Sequence, residues 1–521
     1  MESDNGIVRL AKPVRKGILR VLFSRFLIIA LLLCLQLVLM FALFKWLGDY
    51  FPHFSAVMSV FSVGMVIYLF NCRMDSTAKL TWMWVITLLP LPGTIFLYFT
   101  QKNFGHRKVK ARVEELIQQT QHELPQDPEV LEALEHDESD TEDLSHYLNR
   151  SGCFPIYMHT ETRFFPSGET KFAAMLEELE KAEKFIFLEY FIIEEGYMWG
   201  KILEVLIRKA KAGVDVRVMY DGMCEMAQLP GGYSKLLEQQ GIHAKPFAPI
   251  MPLVSSHYNY RDHRKILVID GKVAFNGGVN LADEYINHIE RFGHWKDTAV
   301  MLRGPAVQSF TLLFLQMWNL TEEKPDFSPC HVPAPVTEAK GIVMPYGDCP
   351  LDDDKVGETV YMDILNRASS YVHIMTPYLI LDGELEAALA FAAQRGIDVK
   401  IILPGIPDKK AAYALAKSHY AALTDAGVKI YEYTPGFVHA KIFVSDDEKA
   451  VVGTINLDYR SLYHHFECAT FLYKTDCIGD IEKDFQETLA KCKLVTSESI
   501  RNESLAYKIG GALMKFIAPL M

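Results

Sequence analysis

The sequence predicts an α/β protein made of two similar halves, an internal duplication, preceded by an α-helical transmembrane region. Three observations carry that expectation. Helix and apolar-strand patterns alternate in the same order twice; one polar motif recurs with identical spacing in both halves; and three apolar runs crowd the N-terminus. At 521 residues the chain has room for two or three domains.

The apolar runs come first. Residues 26–44 are apolar except for Gln36, and 19 residues approach the ~20 needed to cross about 30 Å of hydrocarbon. Further runs cover 54–70 and 80–99. A signal peptide would not carry the second and third runs and would show a cleavage site. Arg9, Lys12, Arg15, Lys16, Arg20 and Arg25 hold the N-terminal tail in the cytoplasm, and Arg73 and Lys79 mark a return to that side. Lys102, Arg107, Lys108, Lys110 and Arg112 follow the third run and again favour the inside. Three full crossings would place them outside. Pro90-Leu91-Pro92-Gly93 interrupts the third run, and proline removes a helical donor. The expectation is two spans plus a re-entrant third segment, with a kinked third span as the alternative.

The divisions expected are 1–115 for the membrane region, 116–150 for an acidic linker, 151–335 for the first half and 336–521 for the second. Glu123 to Asp143 holds ten acidic residues and no Lys or Arg, which reads as a polar linker or exposed helix. In the first half a helix pattern from about 171 to 182 precedes an apolar strand at 185–193. A helix from about 200 to 212 then leads to Gly213 and a strand. The second half repeats this with a helix near 358–368, a strand at 371–380, a helix from about 384 to 395, then Gly396 and a strand. Gly213 and Gly396 sit where left-handed helix caps belong. Such alternation implies a sheet covered on both faces. The C-terminal segment 504–521 has helical apolar spacing, suited equally to a membrane surface or to packing on the domain.

Net charge is −12, which argues against a nucleic-acid binder but not against an anionic lipid substrate, since local basic patches matter more than the total. The nine cysteines show no CxxC or zinc spacing and read as reduced residues, in keeping with a cytosolic face.

The chemistry sits in the doubled motif. His263-Arg264-Lys265 is followed by Asp270 and by Gly277-Gly278-Val279-Asn280; His439-Ala440-Lys441 is followed by Asp446 and by Gly453-Thr454-Ile455-Asn456. His and Lys two apart on a strand share one face, so an imidazole and an ammonium stand side by side. Asp270 and Asp446 face the other way near a turn and read as structural members of the set. The glycines permit a tight reversal, after which Asn280 or Asn456 returns a polar group to the site. Attack on a phosphodiester needs a nucleophile, a proton donor for the leaving alcohol, and cations for the non-bridging oxygens. Two histidines supply the first two, and two lysines with two asparagines the third, without a metal or other cofactor. One copy could be a strand with a buried histidine. Two matched copies in a repeated fold reduce that reading sharply.

On these residues the chain resembles the phospholipase D superfamily, and more narrowly the bacterial cardiolipin synthases. Asn259-Tyr260-Arg261-Asp262-His263-Arg264-Lys265, Asn456-Leu457-Asp458-Tyr459-Arg460-Ser461-Leu462, Phe187-Leu188-Glu189-Tyr190-Phe191 and the Leu-Pro turn carry the likeness, from about residue 54 onward. The first apolar run is an addition to the simplest members. The resemblance implies two phospholipase-D-like α/β/α sandwich halves. It implies a covalent phosphatidyl-histidine on His263, with His439 protonating the departing glycerol. Asp297 and Glu467 occupy the places of the carboxylates that orient the histidines. The reaction implied is ping-pong transfer between two phosphatidylglycerols at a bacterial cell membrane, with catalytic halves in the cytoplasm. A hydrolytic phospholipase D shares every one of these residues. A phosphodiester nuclease fits an acidic, membrane-anchored chain poorly, and a dead scaffold would not keep both motifs. Acceptor preference and oligomeric state are not legible.

Overall fold

The computed structural model describes residues 2–4, 7–10, 38–39, 41–43, 45–46, 48–49, 53–101, 107–136, 141–152, 154–248, 260–352 and 354–520. Most of the first apolar run, and Asn259, lie outside them.

The first half is built on a seven-stranded sheet in the spatial order Glu161–Phe165, Ala299–Arg303, Val273–Gly277, Lys265–Ile269, Phe185–Tyr190, Asp215–Asp221, His243–Phe247. The second runs Ile342–Asp348, His465–Tyr473, Lys449–Gly453, Ile442–Ser445, Tyr371–Met375, Asp398–Pro404, Lys429–Tyr433, with Cys492–Leu494 added at its edge. The directions repeat as well. Phe185–Tyr190 is parallel to Asp215–Asp221 and antiparallel to Lys265–Ile269; Tyr371–Met375 stands in the same relation to Asp398–Pro404 and Ile442–Ser445. The duplication is therefore one of topology, not only of motif.

Helices Gly168–Glu180, Tyr197–Lys211, Val356–Arg367 and Gly383–Gln394 fall where the periodicity places them. Gly213 and Gly396 take φ of 93° and 95°, the left-handed cap that a Cβ would oppose. Both faces of the first sheet are covered. Ile186, Leu188 and Tyr190 pack into one core, while Phe185 and Phe187 point into another that continues through the second half. Phe187 stacks on Phe314 of helix Val307–Trp318 at 4.7 Å. Truncating such a ring to alanine costs about 3–5 kcal/mol, so Phe187 ties its sheet to that helix.

The halves are also clasped by exchanged strands. Arg261–Asp262 pairs in parallel with His465–Phe466 of the second sheet, and Gly436–Val438 pairs in parallel with His294–Lys296 of the first half. His263 and His439 each lie just past these exchanged strands and just before their own sheets, at Lys265 and Ile442. The expectation that each histidine sits within the motif strand is corrected accordingly. The chain changes sheets at the histidine.

The segment 116–150, expected as an acidic linker or exposed helix, is helical over most of its described residues. Helices Arg107–Thr120, Pro128–Glu135 and Thr141–Gly152 bury Val113, Leu116, Val130, Leu134, Leu144 and Leu148. Tyr147 reaches Thr359 at 3.3 Å, and Arg367 reaches Asp143 at 2.9 Å. The described acidic residues occupy outer faces, and the apolar ones recur at helical spacing between them.

The third apolar run is two helices, Ser76–Leu88 and Pro90–Gln101. They fold against each other, with Gly93 close to the backbone of Val85 and Ile86 and with Trp82 5.5 Å from Phe96. Among the described residues no helix is long and apolar enough to cross a membrane. The C-terminal helix Leu505–Ile517 packs on helix Lys410–Asp425 through Gly511, and Thr81 donates to Phe516 O at 2.8 Å.

Candidate active site

The strand exchange sets the site. The backbone N–H of His263 donates to Phe466 O at 2.9 Å, and that of His439 to Lys296 O at 2.7 Å. The next residue along each of those segments is the carboxylate that holds the ring. His263 Nδ1 lies 2.8 and 2.9 Å from the two oxygens of Glu467, and His439 Nδ1 lies 2.7 Å from Asp297 Oδ2. Each histidine is thus oriented by a carboxylate of the opposite half. The carboxylate fixes the proton on Nδ1 and leaves Nε2 for a substrate. All four groups are buried.

The lysines stand beside their histidines as expected. Lys265 Nζ donates to His263 O at 2.6 Å; Lys441 Nζ lies 3.0 Å from His439 Nδ1 and also donates to His439 O. Burial pushes Lys265 down to about 8 and Lys441 to about 7, against the pull of Glu467 and Asp297 respectively. Burial lowers both imidazoles too, His439 to about 4, with the neighbouring lysines adding to it. The charges of His439 and Lys441 act on His263, and that of Lys265 acts on His439, so the two motifs form one electrostatic unit. A centre that buries cations and imidazoles in this way favours an anionic ligand.

The carboxylates differ. Burial raises Asp297, but His439, Lys441 and the Thr298 N–H outweigh it, so the group is held below its usual value. Burial lifts Glu467 well above its usual value, opposed by Lys265 and by the Thr454 hydroxyl that donates to it.

Asp270 and Asp446 take no part in the centre. Asp270 accepts from the N–H groups of Glu183, Lys184 and Phe185, and Asp446 from those of Ser369, Ser370 and Tyr371. Each pins the start of the neighbouring strand, with its own backbone at positive φ. Asn280 is committed to structure as well: its oxygen accepts from Ile192 N at 3.1 Å and its amide donates to Tyr285 at 2.9 Å. The second N–H of that amide has no hydrogen-bond partner among the described residues. Asn456 Oδ1 is buried without a hydrogen-bond partner among the described residues.

Several residues of the centre were not singled out in the sequence. His465 lies 5.3 Å from His263, ring to ring. Phe191 packs edge-on to His263 at 4.9 Å; Tyr285 and Trp295 flank His439, each at 5.3 Å. Lys171, fully buried, donates to Val279 O and is pushed down to about 7 by burial. The spacing of His465 and Trp295, each two residues before a carboxylate, was the available signal for those two.

Two sandwich halves that exchange strands and carboxylates around paired His-Lys motifs define a phospholipase-D-type enzyme. A family model described as "Cardiolipin synthase, PLD-like domain" matches residues 175–318 and 361–489. The chain belongs to the cardiolipin synthase family, phosphatidyltransferases of the phospholipase D superfamily. A cardiolipin synthase of Halalkalibacterium halodurans is 33% identical over 91% of this chain and 95% of its own. Cardiolipin synthase 2 of Bacillus cereus is 34% identical over 89% and 90%. An uncharacterized protein of Streptococcus mutans is 58% identical over 88% of this chain and all of its own. In fold, the chain is similar to the crystal structure of phosphatidylserine synthase from Haemophilus influenzae, with a TM-score of 0.55, 15% identity, and coverage of 73% of this chain and 98% of that one.

Proposed function

We propose that the site moves a phosphatidyl group from one phosphatidylglycerol to the free hydroxyl of a second, giving cardiolipin and glycerol through a phosphatidyl-histidine. The reciprocal hold on the two imidazoles is the observation that carries this reading. Each has one nitrogen committed to a carboxylate and the other open, beside buried lysines that an anionic phosphodiester would neutralise. Following the family resemblance, His263 Nε2 attacks phosphorus, and His439, charged at Nε2 beside the bound phosphodiester, gives that proton to the leaving glycerol oxygen. His439 then takes the proton of the incoming hydroxyl, which attacks phosphorus and frees His263. Water in place of the lipid would give phosphatidic acid, so an apolar mouth favours transfer.

Exposed apolar helices support a lipid setting for the reaction. Val60, Ile67, Phe70, Trp84 and Leu88 are exposed on the N-terminal helices, and Leu505, Ile509, Leu513 and Phe516 on the C-terminal one. Phe516 meets Trp84 edge-on at 6.3 Å, which joins the two surfaces. Patches of this kind mark contact with lipid. The reading is a multi-pass membrane protein with a re-entrant hairpin over 76–101 and cytoplasmic catalytic halves. Protease protection in sealed inside-in vesicles tests the orientation: cleavage of the catalytic halves from outside overturns it.

Expression in a membrane free of cardiolipin, fed with labelled phosphatidylglycerol, tests the reaction. Cardiolipin and glycerol in equal amounts are expected. Phosphatidic acid as sole product overturns the transferase reading.

A further inference from the structure

The exchanged strands place His465 and Trp295 at equivalent positions. Each lies two residues before the carboxylate of its half and pairs with the segment leading to the opposite histidine. Each ring centre is 5.3 Å from that histidine, at interplanar angles of 40° and 42°. The surroundings differ. Trp295 is enclosed by Tyr285 and Phe437 at 4.7 and 4.8 Å. His465 has Phe191 at 6.4 Å, His263 and the Glu467 carboxylate, 3.6 Å from its Nδ1. It is 7% exposed, and neither ring nitrogen has a hydrogen-bond partner among the described residues. A buried imidazole with both nitrogens unanswered marks a place for a bound polar group. The unanswered nitrogens belong to the ring packed against His263, where the phosphorus is to be held.

We propose that His465 is a third catalytic histidine, whose N–H donates to a non-bridging phosphoryl oxygen of the group attacked by, and then carried on, His263. Cations are already close: Arg460, Lys265 and Arg261 act electrostatically on His465, so the ring is one donor in a basic surround, not a lone anchor. This rests on the phosphatidyl-histidine reading above.

Orthovanadate, a phosphoryl mimic, separates the two. Its inhibition constant and the turnover of phosphatidylglycerol are measured in the full-length enzyme for the wild type, His465→Phe and His465→Asn, with thermal unfolding monitored alongside. His465→Phe is expected to weaken vanadate and lower kcat by about 10- to 100-fold, with KM for the lipid changing less. His465→Asn keeps a donor and is expected to recover part of both losses. Wild-type vanadate affinity in His465→Phe overturns the proposal. Equal losses in the two variants assign His465 to packing and overturn it as well. Vanadate binding does not require a lipid acceptor, so phosphatidic acid as the product would defeat the transferase reading while leaving the His465 result intact.

Discussion

The half-site around His263 and the half-site around His439 share a backbone and a lysine and differ in the carboxylates and rings around them. His263 has Glu467, the Thr454 hydroxyl on that carboxylate, Phe191 and His465. His439 has Asp297, Gly278 against that carboxylate, Tyr285 and Trp295. The longer carboxylate is lifted by burial, while the shorter one is held low by its cationic neighbours. Equal backbones with unequal tuning suit two imidazoles that perform different tasks. Because the carboxylates are exchanged, each histidine depends on the opposite half for the group that orients it.

The strongest way to break the comparison is to remove one ring at a time. His263→Ala and His439→Ala are each expected to lower transfer by at least about 10³-fold. They should fail differently. A phosphatidyl donor with a nitrophenol leaving group needs no proton, so it should restore covalent labelling in His439→Ala but not in His263→Ala. Restoration in the opposite variant reverses the two roles. The carboxylates come next, at about 10²-fold or more each, because a wrong tautomer leaves Nε2 protonated or misaligned. Glu467→Gln should slow labelling of His263, and Asp297→Asn should slow departure of glycerol and respond to the nitrophenol donor. A loss confined to the histidine of the same half would contradict the exchange. Gly278→Ala belongs with Asp297→Asn, since a Cβ there would overlap the carboxylate.

Much of this was legible in the residues. Alternating apolar runs placed the helices and strands, and Gly213 and Gly396 marked helix ends, because these depend on local periodicity and backbone freedom. The doubled motif located the histidines and lysines, and the resemblance supplied Asp297 and Glu467. What escaped was non-local. Nothing along the chain says that Glu467 crosses to His263, because the exchange arises from pairing between Arg261–Asp262 and His465–Phe466. Asn280 matched Asn456 in sequence, yet only Asn280 meets a tyrosine five residues on; Ser461 holds that place in the second half. The acidic count over 123–143 hid buried Val130 and Leu134, since charge totals carry no direction.

The lysines sharpen the comparison on a smaller scale. Burial pushes Lys441 down to about 7 and Lys265 to about 8, and both must be charged to hold phosphoryl oxygens. A lysine with a lowered pKa loses its proton as pH rises, so kcat/KM should fall above about 7, with Lys441 setting the first step. Lys441→Arg keeps the charge and should move that limb toward the value of Lys265, whereas Lys265→Arg should leave it in place. An unchanged limb in Lys441→Arg would remove Lys441 from the titration.

The smallest expected effect tests the finest difference. Thr454 donates to Glu467 where the other half has only Gly278. One hydrogen bond to a buried carboxylate is worth about 1–3 kcal/mol, and much of that strength remains with His263 and Lys265, so Thr454→Ala should lower kcat by about 3- to 10-fold. The sign of its pH effect is more telling than its size. The hydroxyl favours the ionised form of Glu467, which burial already opposes, so its loss raises that pKa further. Glu467 then takes up a proton at a higher pH, and activity should fail earlier on the acid side than in the wild type. Thr454→Ser should restore the original acid limb. If the alanine variant instead shifts the alkaline limb, the hydroxyl acts on the lysines, and the difference between the carboxylates must have another source.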